Sequence, residues 1–69
     1  MAVLRLTIDK VLQAQNITRY ELSKRTGIGY PILDKYYKNN VVRYDSYVLA
    51  QICSALGCGI SDIVELIDE

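Results

Sequence analysis

Apolar residues recur along this chain at changing intervals. Residues 2–6, AVLRL, alternate and predict a short strand or an extended arm. From Ile8 the spacing becomes helical. Ile8, Val11 and Leu12 mark one face of a helix over about residues 9–15, capped by Thr7. A helix over about 19–26 has Leu22 as its buried residue, and one over about 30–37 has Leu33 and Tyr36. Val48, Leu49, Ile52 and Leu56 form the stripe of a longer helix that starts at Asp45 or Ser46 and stops at Gly57. A last helix starts near Ile60 or Ser61 and carries Ile63, Val64 and Ile67. Asn39-Asn40 suits a turn in the loop between the third and fourth helices. Five short helices with short loops predict a single all-α domain over residues 1–69.

The punctuation is densest between Ile17 and Tyr37. Thr18 can accept from the free N–H groups of a helix start, and Glu21, three residues on, can complete a capping box. Ile17 and Leu22 stand at staple positions around that cap. Gly27 falls where the helix must end, since glycine enters the left-handed region without a Cβ penalty. Ile28 is a plug for the turn, Gly29 an N-cap, and Pro31 lies in a first turn that needs no N–H. Helix, glycine turn, helix over about residues 18–37 is a helix-turn-helix layout, whose second helix can enter a DNA major groove.

Composition narrows the classes. The chain has 69 residues, 51% of them hydrophobic, which favours a compact fold with a small core. No apolar run approaches the roughly 20 residues that span a bilayer, and MAVLRLTIDK has no signal-peptide core, so the expectation is a cytoplasmic protein. With no histidine and two cysteines, Cys53 and Cys58, the usual zinc donors are too few. Both thiols read as small buried hydrophobes in QICSALGC. The net charge is zero, but it is divided. All eight Lys and Arg lie in residues 1–43 against Asp9, Glu21 and Asp34, leaving +5; residues 44–69 hold five acids and no base. Such a bipolar domain can offer a basic face to phosphates. Among the tyrosines, Tyr36 is expected in the core and Tyr20 partly packed on it. Tyr44 and Tyr47 are expected at an interface or in a loop.

The residues then carry a resemblance. Thr18, Glu21, Leu22, Ser23, Thr26, Gly27 and Ile28 match the helix and turn of the Cro/C1-type helix-turn-helix family, also called the xenobiotic-response-element family. The ending LAQICSALGCGISDIVELI is similar to that family's own through Leu49, Ile52, Cys53, Ala55, Leu56, Cys58, Asp62 and Ile63. The resemblance spans about residues 6–67 and implies a five-helix, lambda-repressor-like domain of the kind found in small stand-alone bacterial and mobile-element regulators. It implies that the third helix offers its first, second and sixth residues, Tyr30, Pro31 and Lys35, to base edges. Lys35 can donate to guanine O6 and N7. Tyr30 can hydrogen-bond or stack on a thymine methyl, while Pro31 and Ile32 can make apolar contact. Asp34 can accept from cytosine N4 or pair with Lys38 one turn on. Phosphate contacts are expected from Thr18 and Arg19 at a helix start, and from Lys38, Asn39, Asn40 and Arg43 in the loop.

Two functional classes compete. The leading one is a sequence-specific double-stranded-DNA-binding transcriptional regulator acting as a homodimer, because two-fold dimers read paired half-sites. The apolar and tyrosine surplus in residues 44–67 is one place for subunits to meet, and AVLRL is another. The other class is a protein-interaction module on the same fold, antitoxin-like or a co-regulator subunit, which the zero net charge favours. No catalytic group, metal, cofactor or small-molecule ligand is implied: there is no histidine, no phosphate-cradling glycine loop, and no Ser or Cys beside a base.

Overall fold

Local start and stop signals place the first four helices in a computed structural model that describes residues 1–68. The order is β1 (Ala2–Leu6), α1 (Ile8–Gln15), α2 (Arg19–Thr26), α3 (Tyr30–Tyr37), α4 (Ser46–Leu56), α5 (Ile60–Ile63) and β2 (Val64–Asp68). Helix α4 begins where Asp45 accepts from Tyr47 N–H at 2.9 Å and ends at Gly57, whose φ of 63° is left-handed. At α1, Thr7 stands at the cap position, but its hydroxyl donates to the Asp62 carbonyl at 2.9 Å. Thr7 thus ties the start of α1 to α5.

The apolar stripes meet in one core. Ile8 and Leu12 of α1, Leu22 of α2, Leu33 and Tyr36 of α3, Val48, Ile52 and Leu56 of α4, and Ile63 of α5 are all buried, closed by Leu6 and Ile28. Burying such side chains is the main term favouring the fold, roughly 1.5–3 kcal/mol each. The Tyr36 hydroxyl also accepts from Asp45 N–H at 2.9 Å, so this core residue fixes the entry to α4.

The terminal segments differ from expectation. The last helix is a single turn, and Val64 and Ile67 belong to β2 instead. β2 pairs antiparallel with β1, from Ala2 opposite Asp68 to Leu6 opposite Val64. Ile60, Ile63, Val64 and Ile67 fit a helical spacing, but α5 has no length beyond Ile63 because β1 supplies hydrogen-bond partners from the other end of the chain. Tyr20 is another correction: at 64% exposure it points to solvent, its ring 5.5 Å from Lys24 Nζ, because Leu22 takes the inward face of α2. Cys53 and Cys58 are half-buried against the core as free thiols, and burial beside Cys53 pushes the Cys58 thiol above its ordinary pKa. Among the described residues, no helix is long and apolar enough to cross a membrane.

Candidate nucleic-acid interface

Helix α2 starts on the Thr18 hydroxyl, which accepts from Glu21 N–H at 3.1 Å. The reciprocal half of the capping box is not made, since the Glu21 carboxylate lies 3.6 Å from Arg25. Gly27 ends the helix at φ 74° and returns its N–H to the Ser23 carbonyl. Two side chains of α2 then stitch the turn. Ser23 Oγ donates to the Ile28 carbonyl at 2.6 Å. Thr26 Oγ1 donates to the Leu22 carbonyl at 2.9 Å and accepts from Ile28 N–H at 3.2 Å. Ile28 is thereby held as the buried plug, and Gly29 opens α3 by accepting from the N–H groups of Ile32 and Leu33.

The turn fixes the facing of α3. Leu33 and Tyr36 are buried, while Tyr30, Pro31, Ile32 and Lys35 are exposed. Lys35 makes no ion pair among the described residues. Four of the residues expected at base edges therefore lie on the solvent side of α3; in the following loop Asn40 and Arg43 are also exposed, and Arg43 has no acidic partner among the described residues.

Asp34 is placed differently. Its carboxylate takes Arg19 Nη1 at 2.5 Å and Lys38 Nζ at 3.1 Å. The Lys38 hydrogen bond leads in holding the carboxyl below its ordinary pKa, with Arg19 adding to it against the effect of burial. The Arg19 guanidinium lies 4.4 Å from the Tyr37 ring centroid and 6.0 Å from that of Tyr30. One carboxylate thus gathers two expected phosphate contacts, one at the start of α2 and one just past the end of α3. The part of Tyr37 has no signature in the sequence, because nothing local aims Arg19 across to α3.

Asn39 is committed elsewhere. Its side-chain amide accepts from Leu6 N–H at 2.7 Å and donates to the Leu6 carbonyl at 3.0 Å. Its left-handed φ of 61° turns the amide toward β1. Thr18, beside the free N–H groups of α2, is exposed.

The model of the Cro/C1-type HTH DNA-binding domain matches residues 7–69. The chain belongs to that family. Its solved neighbours include the crystal structure of the transcriptional regulator VanUg, with a TM-score of 0.79 and 26% identity over 99% of this chain and 89% of that one. No match was found among curated protein sequences.

Proposed function

We propose that this family member is a sequence-specific regulator of transcription that lays α3 in the major groove of double-stranded DNA. The observation that carries the reading is the outward face of α3. Tyr30, Pro31, Ile32 and Lys35 are exposed together, just past the glycine turn, and Lys35 is held by no acid among the described residues. Lys35 reads guanine, Tyr30 hydrogen-bonds or stacks, and Pro31 and Ile32 contact thymine methyls. Arg19, braced by Asp34 and Tyr37, offers its remaining N–H groups to phosphate beside the α2 start and Thr18. Lys38, Asn40 and Arg43 continue the phosphate track, without the Asn39 side chain, which holds Leu6. Asp34 serves as their brace rather than as a base reader. The active species is a homodimer in the cytoplasm, with one α3 in each half-site.

A second reading keeps one observation of its own. Asp34 engages two cations of the basic half, and the net charge is zero, which suits a protein partner as well as a polyanion. Fluorescence anisotropy against the native upstream DNA and a scrambled duplex separates the two. The regulator reading expects binding to both, tighter on the native site, with the Lys35→Ala variant losing about 1–3 kcal/mol there and much less on scrambled DNA. An equal loss on both duplexes contradicts the assignment of Lys35.

A further inference from the structure

The clasp between Asn39 and Leu6 also places a cation. Asn39 follows Lys38, the residue that closes α3, and its side chain holds both backbone groups of Leu6. On the other side of Arg5, the Tyr44 hydroxyl reaches the Leu4 carbonyl at 3.5 Å. Arg5 is thus bracketed by two ties from the α3–α4 loop. Side chains alternate along a strand, so with Leu6 turned into the core Arg5 points away from it, on the face of the sheet that also carries Val3 and Ile67. Arg5 and Lys38 line one recess of about 390 Å³ between the sheet and the loop, with Asn39, Val3, Val41 and Ile67 among the other wall residues.

The charge of this recess is one-sided. Arg5 is exposed and makes no ion pair among the described residues. Glu65 stands opposite Arg5 in the register but forms no ion pair with it and does not line the recess. Lys38 shares Asp34 with Arg19, so one carboxylate serves two cations. The wall therefore has two cationic groups and no acid of its own. A guanidinium presents a planar fork of N–H donors that matches phosphate oxygens. The apolar part of the wall, Val3, Val41 and Ile67, suits the sugar that separates phosphates rather than a hydrated ion.

We propose that Arg5, held beside Lys38 by the Asn39 clasp, grips a phosphate of the DNA backbone and carries the interface past the end of α3 onto the terminal sheet. The proposal rests on the regulator reading and adds to it a contact outside the helix-turn-helix. Continuity names the occupant. Lys38 belongs both to the recess and to the phosphate track of Lys38, Asn40 and Arg43, so a sugar–phosphate strand that follows the track meets Arg5 next. An acidic peptide would find the same cations but no such continuity. The contact reads no base and strengthens every sequence alike. Asn39 acts as a positioning residue: it touches no DNA through its side chain and sets where Arg5 stands.

Salt titration of duplex binding by the full chain tests this, on the native upstream site and on a scrambled duplex. Arg5→Ala and Arg5→Gln, the second keeping an apolar stem on the wall, should each flatten the slope of log affinity against log salt by about one unit on both duplexes, with an unchanged far-ultraviolet circular dichroism spectrum. Arg5→Lys keeps the charge and should keep the slope. Arg25→Ala removes the same charge from a pair with Glu21 outside the recess and should leave the slope as it is. In a folded Asn39→Ala background, removing Arg5 should change the slope by less than in the wild type. A steep wild-type slope that both neutral Arg5 variants leave unchanged overturns the proposal and spares the regulator reading. Equal flattening by Arg25→Ala overturns it too, as an effect of net charge alone. An oligo-glutamate peptide that binds through Arg5 while the duplex slope ignores Arg5 assigns the recess to an acidic protein surface instead. A wild type with no salt-dependent binding to any duplex removes the regulator reading and this contact with it.

Discussion

In the α2–α3 unit the bonds that shape the turn join near neighbours: Thr18 to Glu21, Ser23 to Gly27 and Ile28, Thr26 to Leu22. In the terminal sheet every tie spans most of the chain or half of it: β1 to β2, Thr7 to Asp62, Asn39 to Leu6. The first region is a bend held by bonds among its own residues and pinned to the core by Leu22 and Leu33. The second exists only when both ends and the α3–α4 loop arrive together. A DNA-reading helix gains from the first kind of construction, because its facing is set before any partner is met.

The largest effect expected should come from removing the pins of the local unit. Leu22→Ala or Leu33→Ala should cost roughly 2–5 kcal/mol in chemical denaturation, since both side chains are fully buried. Leu66→Ala, at the exposed edge, should cost the single copy under about 0.5 kcal/mol. Equal losses at the two places would erase the contrast.

Next comes the clasp on the sheet. Asn39→Ala strands the Leu6 N–H and C=O and should cost about 1–3 kcal/mol. Amide hydrogen exchange should show the loss concentrated at β1 and β2, while α2 and α3 keep their protection. Gly27→Ala strains the local unit, with φ at 74°, and should cost about 1–2 kcal/mol with no steric clash at the added methyl.

The smallest effect concerns the brace between α2 and α3. The Asp34 carboxyl is held below its ordinary pKa, chiefly by Lys38, so its ion pairs favour the fold above about pH 4. That contribution is lost as pH falls through the lowered value. Asp34→Asn should therefore unfold more readily than the wild type at neutral pH, and the two melting curves should converge in acid. A gap that persists unchanged in acid would mean that Asp34 acts through packing rather than charge.

What the sequence discloses follows the same division. Gly27, Thr18 and the Asp45 start of α4 are readable because their partners lie within a few residues. The buried stripes are readable because helical spacing is a local property. Beyond Ile63 the pattern of Val64, Leu66 and Ile67 suits either helix or strand, and β1 decides between them from the far terminus. Asn39 reads as a turn residue, which its left-handed φ bears out, but its amide finds Leu6 only in the assembled fold. On the candidate site, the exposed face of α3 follows from its buried one. The convergence of Arg19, Asp34, Lys38 and Tyr37 depends on the angle between two helices, which no spacing encodes.

The most direct test of the regulator reading is a salt titration of duplex binding by the wild type and by Arg43→Ala. Wild-type affinity for the native upstream site should fall linearly on a log–log plot of affinity against salt. Arg43→Ala should weaken binding to native and scrambled duplexes about equally and flatten that slope by about one unit, because an exposed guanidinium with no acidic partner among the described residues neutralises one phosphate. A wild type with no salt-dependent binding to any duplex would contradict the account and leave the α3 face to a protein partner.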